Sequence, residues 1–232
     1  MLLSSATLLA AALTAAPARA DGWTDHIKLS GDFRYRNEWS TGMPQDLYGK
    51  DMRWRQRVRA RLSLKGIIVD DQLVAGLRIR TGSASDANSP HQTMGTAFGS
   101  YAIGLDRAYL QYNPGGGATS IWAGKFAHPF TDSPVYRDFI WDEDVNPDGV
   151  AADLAIIHGD DASVTWHLLP AAYLLQEISD TGDQLGFDTN DAYLFAAQSD
   201  LHFAVGDGEL WLANAWYQAA GLDNGGTPPP PP

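Results

Sequence analysis

Between Arg53 and Lys65 the chain alternates two kinds of residue. Arg53, Arg55, Arg57, Arg59, Arg61 and Lys65 share one parity; Trp54, Gln56, Val58, Ala60, Leu62 and Leu64 share the other. A repeat of two is the period of a β-strand, whose side chains point alternately to opposite faces. Wound as a helix, the same arginines would be scattered round the axis. The strand carries a row of cations on one face and a nearly apolar row on the other. A soluble sheet buries such an apolar face. A membrane barrel turns it to lipid and turns the cations to a water-filled lumen.

The alternation recurs along the chain. Strands are predicted at 26–40, 53–69, 72–81, 103–112, 119–126, 149–158, 163–169, 192–205 and 209–218. In the first, Ile27, Leu29, Phe33, Tyr35 and Trp39 oppose Lys28, Ser30, Asp32, Arg34, Arg36 and Glu38. In the third, Leu73, Ala75, Leu77 and Ile79 oppose Arg78 and Arg80; in the fifth, Trp122 and Phe126 oppose Lys125. The fourth has no clear facing, because both parities mix polar and apolar residues. No strong helical period is present in the mature chain.

The connections alternate as well. Those at 70–71, 113–118, 159–162 and 206–208 are short and of tight-turn composition, whereas 41–52, 82–102, 127–148 and 170–191 are long. A transmembrane barrel has short periplasmic turns and longer outer loops; a Greek-key sandwich mixes its loop lengths. Many strands are about as long as the ~9–11 residues of a tilted membrane strand. Trp39, Trp54, Trp122, Phe126, Trp166, Tyr193, Trp211 and Trp216 fall near strand ends, as interfacial girdles or as the aromatics of a sandwich core. The expected fold class is all-β, an antiparallel transmembrane β-barrel with meander topology.

Composition narrows the function. A formal charge of −12 speaks against non-specific nucleic-acid binding, and without cysteine no disulfide scaffold or Cys-based site is possible. Residues 1–20 read as a signal peptide, with an apolar run at 8–16 and an Ala18-Arg19-Ala20 cleavage site, although no Lys or Arg precedes the run. Beyond residue 20 no stretch reaches the ~18 apolar residues of a spanning helix. The expected organisation is a leader at 1–20, barrel wall at 21–220 and a Gly/Pro-rich tail at 221–232 that cannot be a closing strand. An odd strand number is unusual for a closed bacterial barrel. The expectation is the N-terminal part of a larger one.

The segments LSGDFRYRNE (29–38), the ladder at 55–64, GLRIRTG (76–82), QTMG (92–95), LDRAY (105–109), GKFAHPF (124–130) and WDEDVNPDG (141–149) occur in the order found in the "putative porin" family of Gram-negative outer-membrane proteins. The chain resembles that family over about residues 22–160, departing from it at His91, where Asn is expected before Gln-Thr. The resemblance implies a passive diffusion channel for small hydrophilic solutes or ions in the outer membrane, surrounded by lipid, often trimeric, with no cofactor and no catalysis. It does not identify a solute.

The candidate pore-lining residues are Asp32, Arg34, Arg36, Glu38, Arg53, Arg55, Arg57, Arg59, Arg61, Lys65, Arg78, Arg80 and Lys125. The connection at 127–148 carries Asp132, Asp138, Asp142, Glu143 and Asp144 against Arg137. Folded into the lumen, it would be a constriction loop setting acids opposite the arginines; otherwise it is a solvated outer loop. Asp144, Asn146 and Asp148, followed by Gly149, match the opening of an EF-hand calcium loop, but its twelfth position would be Ala155 and no helices flank it. His26, His91, His128, His158, His167 and His202 are scattered and fit no catalytic motif. Two other readings stay open: a secreted, soluble β-sandwich that binds ligand, and an outer-membrane barrel hydrolase.

Overall fold

The computed structural model describes residues 22–41, 52–70, 72–130, 141–158, 164–177, 191–206 and 208–222. Residues 1–20, Asp71, Asp132, Arg137, Asp138, Asp207, the turn expected at 159–162 and most of the expected tail lie outside these residues, as do most of the connections expected at 41–52 and 170–191. The strands are β1 (Ile27–Thr41), β2 (Met52–Val69), β3 (Leu73–Thr81), β4 (Gln92–Thr93), β5 (Ile103–Tyr112), β6 (Ser120–Lys125), β7 (Asp148–His158), β8 (Val164–Gln176), β9 (Ala192–Val205) and β10 (Gly208–Ala220). The only helical elements among the described residues are short 3₁₀ turns at Trp23–His26 and Pro114–Gly116.

All pairings are antiparallel. The sheet runs β1-β2-β3-β5-β6-β7-β8-β9-β10, an up-and-down meander, and β4 attaches to β2 off that path. No pairing joins β1 to β10 among the described residues. The nine strands of the main path are those expected from the alternation. The tenth, β4, was not expected. It pairs Thr93 with Arg57 and Gln92 with Val58, where β2 continues past the last β3 partner of Arg61. Strand 163–169 was expected to stop before Pro170. Instead β8 runs on to Gln176, because the alternation survives the proline: Leu169, Ala171 and Tyr173 share one face, Pro170, Ala172 and Leu174 the other.

Register fixes the faces. Leu29 lies opposite Leu64, Phe33 opposite Ala60, Tyr35 opposite Val58 and Trp39 opposite Trp54. This face is open: Phe33 is 73% exposed, Trp39 71% and Trp54 66%. The other face is closed. Arg59 is 3% exposed, and Arg78, Asp106, Gln198 and Asp200 are buried with it. A water-soluble fold shows the reverse distribution, since unpaired charge is costly to bury and apolar surface costly to expose.

The sheet curls with its charged face inward. Trp141 and Asp144, three residues apart, contact β10 and β2 respectively, through Trp141 Nε1 donating to the Tyr217 hydroxyl at 2.9 Å and Arg61 donating to Asp144 at 2.7 Å. Laid flat, β2 and β10 would be ~34 Å apart at ~4.8 Å per strand, whereas three residues of chain reach ~10 Å. Side chains stand nearly perpendicular to a sheet and add little lateral reach, so the wall must bend round to meet this segment. On the far side of the curl a small apolar core forms from Phe126, Phe130, Ala151, Leu169, Tyr173 and Ala196, with Tyr109, Trp122 and Tyr217 packed against it. Trp122 and Phe126, expected in an interfacial girdle or a sandwich core, therefore sit inside the curl.

Candidate functional site

The arginine ladder of β2 meets further cations across both its neighbours. Arg34 lies opposite Arg59 and Arg36 opposite Arg57 on the β1 side, and Arg80 lies opposite Arg61 on the β3 side. Like charges facing each other across strands repel, so nearby carboxylates are needed. Asp32 is opposite Arg61 and Glu38 opposite Arg55. Asp32 accepts from Arg59 at 2.8 Å and also from Arg61, while Glu38 is shared by Arg55, by Arg36 at 3.1 Å and by Arg57 at 3.7 Å. Arg53 lies opposite Ser40 near one end of the ladder, and Lys65 opposite Lys28 near the other.

A β-bulge supplies the next acid. Arg78 pairs with Arg107 but Ile79 pairs with Leu105, which leaves Asp106 as an extra residue on β5. Asp106 and Arg107 consequently both reach the charged face, and this is why neither parity of the fourth predicted strand looked consistent. The buried carboxylate of Asp106 takes Arg78 and, at 3.3 Å, Arg80. Lys125 is placed differently from the ladder. It has the parity of Ala123 and Leu110 on the apolar side, at the end of β6, and its Nζ donates to the Asn146 carbonyl at 2.9 Å and to Asp148 at 2.8 Å.

Residues 141–148 form a strap across this wall. Asp144 ties to Arg61 at 2.7 Å and lies 3.7 Å from Arg59. Asn146 Oδ1 accepts from Arg107 at 2.6 Å, and its Nδ2 donates to Asp106 at 2.9 Å. Asp142 accepts from the Asp144 backbone N–H at 2.8 Å, which sets the turn that aims Asp144. Glu143 lies on the same turn, beside Asp142 and Asp144. Asp144, Asn146 and Asp148 thus reach toward Arg61, Arg107 and Lys125 rather than converging, and no group of three metal-binding side chains occurs among the described residues.

Rings hold the other end of the strap. His128 stacks on Trp141 with centroids 4.2 Å apart and meets Phe130 edge-on at 4.4 Å. Burial there pushes the His128 imidazole down to about 4. The connection between β3 and β5 leans on the ladder as well. Arg57 donates to Ser89 at 2.9 Å and to the His91 carbonyl at 3.0 Å, and Arg80 donates to the Asp86 carbonyl at 2.7 Å. His91 is buried beside the arginines; burial first, then Arg36, Arg57, Arg59 and Arg34, lowers it to about 4.

The wall opposite is less charged. His167 Nδ1 lies 2.6 Å from Asp153, and Gln198 donates to both oxygens of buried Asp200 at 3.0 Å. Neither pair was singled out from sequence; an acid interrupting an apolar alternation was the available signal, as it was for Asp106. The whole array can bind and orient anions and dipoles through a field that runs from the arginine wall of β1, β2, β3 and β5 toward the strap.

Comparison with known proteins adds one finding. A family model described as Putative porin matches residues 44–223. No curated protein and no solved structure matches the chain.

Proposed function

This chain belongs to the putative porin family, and from that premise we propose that its wall encloses a passive, water-filled channel for small hydrophilic solutes across the outer membrane. The observation that carries this reading is the inverted burial: apolar side chains such as Phe33, Trp39, Trp54 and Leu62 are open, while Arg59, Arg78 and Asp106 are closed in. Lipid is the surrounding that makes the open face favourable; the enclosed arginines are compensated by their carboxylate partners, and Arg34, Arg36 and Arg55 are left open to water within the curl. The same reading makes residues 1–20 the export signal.

Selectivity follows from position. Arg55 and Arg57 keep part of their side chains open to a permeating ion, buried Arg59 adds its charge from behind them, and a low-dielectric wall focuses the field. Acids on the outer loops are screened within ~8 Å at physiological salt. The channel therefore favours anions, or dipolar solutes bearing a carboxylate, despite the chain's charge of −12. Asp144 offsets part of the ladder, and its pairing with Arg61 turns some of the anion preference into a transverse field.

Reversal potentials in planar bilayers under a salt gradient test this. Neutralising Arg55, Arg57 and Arg59 together should move the potential toward cation preference, and more so at low salt. Neutralising Asp142, Glu143 and Asp144 should move it the other way. An unmoved potential in the triple arginine variant would show that the ladder does not line the conducting path.

A further inference from the structure

Two cross-strand arginine pairs remain under-neutralised at one level of the ladder. Arg34 faces Arg59, and Arg36 faces Arg57. The carboxylates in reach are already divided. Asp32 serves Arg59 and Arg61, Asp144 serves Arg61 and, at 3.7 Å, Arg59, and Glu38 serves Arg36, Arg55 and Arg57, so that none of them reaches Arg34. Arg34 is exposed and makes no ion pair among the described residues. Arg36 keeps 42% of its side chain open. The Nε atoms of Arg36 and Arg57 are buried and have no hydrogen-bond partner, and neither does Nε2 of His91. Alternate residues of β1 stand ~6.8 Å apart and adjacent strands ~4.8 Å apart. Long guanidinium arms from such a grid can converge on one small ligand.

We propose that Arg34 and Arg36, backed by Arg57 and Arg59, form a binding station for a small doubly charged oxyanion, such as inorganic phosphate or a short dicarboxylate. Guanidinium forks match two oxygens of either ligand. A dianion is specified over chloride because like-charged pairs stand opposite each other on two successive rungs, and one charge leaves a rung uncompensated. His91 completes the surroundings without adding to the positive charge. Its imidazole is held neutral by burial and by the four arginines, so it can donate a single N–H. The station rests on the porin reading only for its part in transport; the binding itself does not.

Melting of the folded, detergent-solubilised protein tests the site. The two media are sodium phosphate at about pH 8, where phosphate is a dianion, and sodium chloride of equal ionic strength. Phosphate should raise the Tm and the rise should saturate. In R34Q/R36Q the half-saturating concentration should increase about tenfold or more. K28Q/K65Q removes the same charge elsewhere on the same two strands and should stay within about twofold of the parent. Sodium succinate in a parallel series distinguishes a dicarboxylate from a tetrahedral oxyanion, and saturable binding of either supports the station. A rise that never saturates, or equal weakening in both double variants, would mean a diffuse field and would overturn it. Bilayer recordings separate the two readings. Saturable stabilisation without any chloride conductance sinks the channel and leaves the site, whereas conductance with no response to either dianion sinks the site and leaves the channel.

Discussion

Enclosed histidines, His91 buried and His128 half-buried among rings, record how tightly the strap and its neighbours are seated. His128 lies among Phe130, Trp141 and Tyr173, and its pKa is pushed down to about 4. An unfolded chain takes up that proton near the ordinary value of about 6.5, before the folded state does. Stability contributed by the neutral ring is therefore complete above about pH 6.5 and falls as the pH drops toward 4, by roughly 1.4 kcal/mol per unit for each such histidine. Urea unfolding at pH 7 and pH 5 should show this loss, and His128→Phe should remove about half of it, leaving the part due to His91. An unchanged pH slope in the variant would mean that the ring is not held neutral by the aromatic packing. Histidine placement of this kind was not legible in the sequence, where His91 and His128 are two of six scattered residues. What marks them is burial by segments remote in the chain. The ladder was legible for the opposite reason, because its pattern is contained in one strand.

At the level of strands, period-two alternation predicts elements well and interruptions poorly. It located the main-path strands, since each has its own two-faced pattern. It could not see β4, whose two residues carry no pattern, or the bulge at Asp106, which exists only relative to β3. Glycine marks a further feature that depends on neighbours. Tyr109 lies between Gly76 and Gly124 in register, and the row continues through Gly149 to Tyr173. A Cβ on Gly76 would meet the Tyr109 ring at 2.3 Å, so the bare backbone there is what lets the ring lie across it. Gly149 adopts φ +149, and a Cβ on it would fall 2.1 Å from the Ala172 carbonyl oxygen. Gly149→Val should consequently prevent stable folding, a loss of more than ~3 kcal/mol. Gly66→Ala, with open space around it, should cost at most ~1 kcal/mol. Heat-modifiable gel mobility of the refolded variants reports both, and a normally folded Gly149→Val would show that β7 and β8 are not so closely apposed.

For the whole molecule, the meander dictates which connections share a rim. In an antiparallel path each connection lies at the end opposite the previous one, so alternating short and long loops place all the short ones together. The β2–β3 turn at Asp70 and the turn at Asn113–Thr119 belong to one rim, and the connection carrying Ser85 belongs to the other. Under the channel reading, Ser85→Cys should react with a membrane-impermeant maleimide on intact cells. Asp70→Cys should react only after the outer membrane is opened. Equal labelling of the two would remove the assignment of rims. The curled wall could be anticipated from the loops and the two-faced strands. The strap's anchorage could not, because Asp144 and Arg61 stand 83 residues apart and nothing in either neighbourhood names the other.

That separation also orders assembly in time. Each hairpin of the wall joins strands adjacent in sequence, so the meander can zip from one strand to the next with little loss of chain entropy at any step. The strap obeys a different clock. Its Asp144 needs Arg61, which is synthesised early, but its Trp141 needs Tyr217, 76 residues later. Until β10 has docked, Trp141 lacks the hydroxyl to which it donates, and the aromatic cluster lacks Tyr217. The strap is therefore fully seated only after the wall from β2 to β10 has curled far enough to bring Arg61 and Tyr217 to either end of it.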